Sequence, residues 1–207
     1  EHVDLAGVDL VFLGGGPDRE QRLASEDLMR MRDDLHAYVE DDGVLLAICG
    51  GFQILGHEWL LGEEVVKGLG LVDMTTERAP GGSGNRLIGN IALRSPLADQ
   101  AVVGYENHAG RTHLGTGVEA FGDVASSTGH GNNDSDKRDG VRYKNVVGTY
   151  LHGPLLPKNP QVADALLIRA LERRARRAGV PAPELAPLDD AVENAANEYV
   201  RNRLNAG

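Results

Sequence analysis

Five consecutive apolar residues, Val44-Leu45-Leu46-Ala47-Ile48, run without interruption into Cys49-Gly50-Gly51. A short apolar run closed by glycines reads as a strand buried on both faces, because a half-exposed strand would alternate with polar residues. Phe52 to Leu61 follows with helix-like spacing, so the chain must pass from strand to helix through the tight turn Cys49-Gly50-Gly51. That places residue 49 at the carboxyl edge of a sheet, where open α/β folds build their sites.

The same rhythm is present upstream. Val8 to Leu13 is a second apolar run and ends in Gly14-Gly15-Gly16-Pro17-Asp18, which reads as a buried strand opening into a glycine loop. From residue 19 to about 40, Leu23, Leu28, Met31, Leu35 and Val39 recur among many charges, the spacing of an amphipathic helix. Strand, helix, strand, turn and helix in this order predict a mostly parallel α/β sheet. Short strand-like runs at 71–76, 85–93, 101–107 and 118–126 predict an antiparallel or mixed extension of it.

Gly129 to Gly140 is a polar loop whose Asn132, Asp134, Asp136 and Asp139 faintly resemble a calcium loop. Lys137 stands where such a loop needs Gly, and no Glu closes it, which favours a plain hairpin connection. Val146 to Leu151 is the last strand, and it delivers His152. Pro160 to Arg177 reads as a helix with five arginines from 169 onward, where cations favour the helix dipole; a nucleic-acid patch is the competing reading. A linker at 180–187 and a helix at about 188–204 complete the chain. Residues 1–179 are expected to form one domain, with 180–207 packed on it.

Composition narrows the function classes. A net charge of -10 over 207 residues repels polyphosphate and argues against general nucleic-acid binding. No apolar run reaches the ~18 residues of a membrane span. A single Cys permits no internal disulfide, and with no secretory leader visible a reducing cytoplasm is the expected location. The chain starts at Glu1 with no Met, so part of the natural polypeptide is expected to precede it.

Cys49 is the informative residue. Gly50 and Gly51 allow close backbone approach, as in the nucleophile elbow of hydrolases. The helix N-terminus is expected to lower the thiol pKa, and the Gly50 amide to point where an oxyanion would form. The competing reading is a small buried hydrophobe; the flanking glycines favour the nucleophile. Among seven histidines, His2 and His36 read as surface, and His130 lies in the polar loop. His57, on the same expected helix as Cys49, would stand ~12 Å along its axis and out of reach. His152 emerges from a buried strand at the same sheet edge as Cys49, although a structural His is also possible there. His108 and His113 are spaced like a metal pair but lack a third ligand.

The segments LLAICGGFQILG around Cys49 and VVGTYLHGPLL around His152 resemble a class I glutamine amidotransferase domain of the cobyric-acid-synthase-like branch. Within the branch, VFLGGGPDREQ at 11–21, NRLIGN at 85–90 and GYENHAGRT at 104–112 are most similar to the GatD group, the glutaminase subunits of lipid II isoglutaminyl synthases. The resemblance covers nearly all of residues 4 to 160. It implies a three-layer α/β/α flavodoxin-like fold, mostly parallel with an antiparallel extension, in which Cys49 is the nucleophile and His152 its base. Gly50, with Gly15 and Gly16 of the glycine loop, would form the oxyanion hole. Arg86 would hold the glutamine α-carboxylate, a task suited to its planar donor fork, and Gln53, Asn107 and His108 would line the pocket.

Two departures accompany the resemblance. Many class I domains carry Glu two residues after the His, where this chain has Pro154. In the GatD group the missing acid is expected from a Mur-ligase-like partner, MurT, which would bind ATP and Mg and receive the ammonia. No cofactor or metal is expected in this chain. This fold also normally begins with one more strand before the segment that opens here. The rival readings are an amidotransferase subunit for corrinoid side chains and a non-catalytic binding subunit.

Overall fold

The computed structural model describes residues 4–16, 18–61, 64–79, 81 and 84–206. Its centre is β2 (Val44–Ile48), which pairs in parallel with β1 (Leu10–Leu13) on one side and β12 (Val146–Thr149) on the other. The antiparallel strand β11 (Val141–Tyr143) closes the sheet, in the order β1-β2-β12-β11. Side chains of a strand alternate between faces, so β2 serves two cores. Leu45 and Ala47 pack with Leu35, Tyr38 and Val39 of α2 (Arg32–Glu40). Val44 and Leu46 pack with Val162, Leu166 and Ala170 of α5 (Pro160–Ala178) on the opposite face. Each fully buried aliphatic side chain here contributes about 1.5–3 kcal/mol, which is why an all-apolar strand settles between two helical layers.

The expected extension is instead two further four-stranded sheets, one mixed and one antiparallel. In one, β3 (Glu58–Leu61) and β4 (Glu64–Lys67) make a hairpin, and β5 (Met74–Arg78) joins it to β8 (Gly110–Leu114). In the other, β6 (Leu87–Arg94) pairs with β7 (Val102–His108) and with β9 (Gly122–Val124), which pairs in turn with β10 (Arg138–Asp139). The polar segment at 129–140 holds the second part of the β9–β10 connection and β10 itself, laced shut by Asn132, whose side chain both donates to and accepts from the Gly140 backbone.

Two expected helices differ. The long helix from residue 19 breaks at Met31 into α1 (Asp18–Arg30) and α2. The expected helix from Phe52 to Leu61 is a single turn, α3 (Gly50–Gln53), followed by strand. Backbone bonds from distant residues explain the change: Leu69 N–H donates to Ile54, Gly70 to Gly56 and Gly68 to His57, using the carbonyls a helix would need. His57 therefore does not share a helix with Cys49; it is exposed and paired with Asp73.

Beyond β12, α4 (Leu155–Lys158) turns the chain into α5, and α6 (Ala191–Leu204) lies against β6 and β7 through Val200, Leu204, Ala92 and Val103. Three of the five arginines pair with acids near the bottom of the sheet: Arg173 with Asp41, Arg174 with Asp9 and Arg176 with Asp42. No helix among the described residues is long and apolar enough to cross a membrane. His2 lies outside the described residues.

Candidate active site

Cys49 occupies a left-handed conformation, φ 54° and ψ -112°, between β2 and α3. For a non-glycine residue that conformation costs about 1–3 kcal/mol and persists only where the surroundings impose it. They do so here by bonding both of its backbone groups: Cys49 N–H donates to Thr149 O at 2.9 Å, and its carbonyl accepts from Gln53 N at 2.9 Å. Two glycines let the turn close. A Cβ on Gly51 would lie 2.4 Å from the Leu13 carbonyl oxygen, and one on Gly15 would lie 3.0 Å from Cys49 Cβ. The glycine loop after β1 is thereby pressed against the Cys49 turn. Gly16 faces elsewhere, with its carbonyl accepting from Gln21 Nε2.

The expected lowering of the thiol pKa is not what the site produces. Burial pushes the Cys49 thiol up, and the opposing Gly50 N–H and Arg86 charge do not cancel it. One helical turn carries too small a dipole to reverse the desolvation of a thiolate.

His152 stands three residues beyond the end of β12, after Tyr150 and Leu151, and is half-buried. Its backbone pairs with Tyr105 in both directions, His152 N–H to Tyr105 O at 2.7 Å and Tyr105 N–H to His152 O at 3.3 Å. The ring approaches the same carbonyl, with Nδ1 at 3.2 Å from Tyr105 O. A carbonyl only accepts, so the proton resides on Nδ1 and Nε2 is left as the base. His152 shares a cavity of about 430 Å³ with Gly14, Gly15, Ile48 and Leu151. The cavity opens beside the Cys49 turn, because Gly15 touches both.

Arg86 stands just before β6 and is clamped by Asn107 of β7: Nε donates to Asn107 Oδ1 at 2.7 Å and Nη2 to Asn107 O at 2.9 Å. Its charge acts on Cys49. Gln53 and His108 lie deeper. Gln53 Nε2 donates to the Tyr150 hydroxyl at 3.1 Å, and the His108 ring stacks on Tyr150 at 3.5 Å. His108 and His113 do not face a common ligand, since His108 Nδ1–H donates to Gly110 O and His113 contacts Glu77.

A match to the family of CobB/CobQ-like glutamine amidotransferase domains covers residues 1–160. The chain belongs to that family. It is accordingly a glutamine-hydrolysing enzyme of the amidotransferase class. It is 41% identical over 199 residues to the GatD subunit of lipid II isoglutaminyl synthase (glutamine-hydrolyzing) of Staphylococcus aureus, covering 95% of this chain and 76% of that protein. It is 39% identical to the corresponding Streptococcus pneumoniae subunit, over 80% of this chain and 62% of that protein. Cobyric acid synthase of Listeria monocytogenes is more distant, 28% identical over 72% of this chain and 29% of that enzyme. A solved glutamine amidotransferase (TM-score 0.55, 21% identity, 80% of this chain and 81% of that one) and PurLQS of Thermotoga maritima (TM-score 0.57, 18% identity, 81% of each) share the fold.

In this amidotransferase three parts of the site escaped the sequence reading. Thr149 and Tyr105 act through backbone atoms, which leave no signature in residue type. Gln21 covers Gly50, its amide occupying the space where a Cβ would go. The Tyr150 hydroxyl joins those of Thr112 and Thr76 and the Gln53 amide in one buried hydrogen-bonded chain. Its one legible trace is a phenol at the end of an apolar strand.

Proposed function

We propose that this chain is the glutaminase subunit of a lipid II isoglutaminyl synthase. The observation that carries the reading is the strained Cys49 turn, bonded to Thr149 and pressed on Gly15, with His152 in the adjoining cavity. Relatives at 41% and 39% identity bear that enzyme's name.

Arg86, held rigid by Asn107, binds the α-carboxylate of L-glutamine. Cys49 Sγ gives its proton to His152 Nε2 and attacks the carboxamide carbon. The Gly50 and Gly15 amides stabilise the oxyanion, with Gly16 shaping the loop behind them. The imidazolium then protonates the amide nitrogen, which leaves as ammonia as the γ-glutamyl thioester forms; water, deprotonated by the same His, cleaves the thioester to glutamate, and the proton returns to Cys49 Sγ. Gln53 and His108 back the pocket through Tyr150. This chemistry needs no cofactor or metal in this chain.

Tyr105 O fixes the His152 tautomer but carries no charge, and among the described residues no carboxylate bonds the ring. Glu106 bonds His130 and Gly131, and Asp139 bonds Thr149 and Tyr150. The Mur-ligase-like partner, MurT, supplies that acid across the interface, holds ATP and Mg, and uses the ammonia to amidate the D-glutamate of lipid II in the cytoplasm. The test is a reconstitution with partner, ATP, Mg, lipid II and amide-¹⁵N glutamine. Label in D-isoglutamine is expected; glutamate release with no label in lipid II overturns the acceptor.

A further inference from the structure

Asp139 is a buried acid that the proposed chemistry does not use. Its side chain is completely enclosed, and no cation is among its hydrogen-bonding partners. Enclosing a carboxyl in this way is costly, and an apolar residue of similar size would fill the space more cheaply. What Asp139 contacts is therefore informative.

The Thr149 hydroxyl donates to Asp139 Oδ2, and Tyr150 N–H approaches Oδ1 at 3.4 Å. The same hydroxyl oxygen accepts from Leu151 N at 3.0 Å. One carboxyl thus organises three successive residues of the strand end. That segment meets the reacting groups on both sides. Thr149 O receives the Cys49 N–H at 2.9 Å, and Leu151 is followed by His152, which Tyr105 grips.

We propose that Asp139 is a positioning residue that sets the relative placement of Cys49 and His152 by clamping Thr149. This rests on the reading of those two residues as nucleophile and base. Rates of such reactions depend on the reacting groups being held close to the attack geometry, so a loosened strand end is expressed in turnover. Arg86, just before β6, and Asn107, on β7, lie outside this segment, and glutamine binding is left unchanged.

The experiment measures kcat and KM for glutamine hydrolysis by the full chain with its Mur-ligase-like partner. Rates are expressed per Cys49 titrated by a thiol-reactive glutamine analogue, which counts only folded sites. Asp139→Ala should lose about tenfold or more in kcat with KM within about twofold of wild type. Thr149→Val, nearly isosteric and still carrying the carbonyl, should lose kcat similarly, and the double variant should lose no more than Asp139→Ala alone. Asp139→Asn, which can still bond both Thr149 and Tyr150, should recover most of the rate. Asp139→Ala or Thr149→Val at wild-type kcat, or losses that multiply in the double variant, overturn the proposal. If Asp139→Ala does not fold, Thr149→Val decides alone. A wild-type complex that neither hydrolyses glutamine nor takes the label overturns the glutaminase reading itself, a result distinct from unchanged variants.

Discussion

At the scale of residues, the site depends on how few groups meet Cys49 and how each is held. Arg86 is exposed, and by itself its long side chain would sample many rotamers; two bonds to Asn107 remove that freedom before substrate arrives. Arg86→Ala should raise the KM for glutamine at least about tenfold, the cost of losing a charged hydrogen bond. Asn107→Ala should raise it by a smaller factor, because the guanidinium remains but is no longer preorganised. Steady-state kinetics of both variants check this, and an unchanged KM in Arg86→Ala would return that residue to the role of a solvated strand arginine. Arg86 was singled out only by the resemblance of its segment, whereas the strand-end positions of Cys49 and His152 were legible in the sequence because an apolar run leads into each. The Asn107 clamp and the Thr149 and Tyr105 carbonyls were not, since they depend on which strands pair.

At the scale of elements, the turn after β2 is a joint between two strands. Gly51 meets the carbonyl of Leu13 in β1, so a side chain there collides with backbone that the sheet register holds in place. Gly51→Ala should destabilise the protein by about 1–3 kcal/mol and reduce activity beyond what the lost stability explains. A thermal melt together with kcat measures both, and a variant with wild-type values would mean the joint yields. The strands β1, β2 and β12 were readable because continuous apolar runs have few other destinations. The segment 52–61 was misread because its apolar spacing suits a helix, while long-range bonds from residues 68–70 take its carbonyls and Gly56 bends it into β3. Local periodicity contains no information about such partners. The helix expected from residue 19 failed more narrowly, at Met31, whose backbone departs from helical geometry and divides it in two.

At the scale of the whole molecule, two buried acids make stability depend on pH in opposite senses. Burial pushes Asp139 up to about 7, whereas Glu106, despite burial, is held below its ordinary value by His108 first and then by donors from Gly131 and His130. The native state therefore binds a proton at Asp139 that the unfolded chain has released above about pH 4. Its contribution is full below that point and lost as pH rises through about 7. Glu106 works at the acid end, where stability falls as it protonates. Melting temperatures across about pH 5 to 8 should fall more steeply for wild type than for Asp139→Asn, which cannot ionise; parallel curves would contradict the assignment. Above both acids stands the question of what the assembled site does. The measurement that reaches it most directly is glutamate release from L-glutamine by the wild-type chain, Cys49→Ala and His152→Ala, each alone and with the Mur-ligase-like partner. Release should be low for the wild-type chain alone, rise steeply with the partner that completes the His152 charge environment, and vanish in both variants. Wild-type release from either variant in the complex would contradict the Cys49–His152 mechanism.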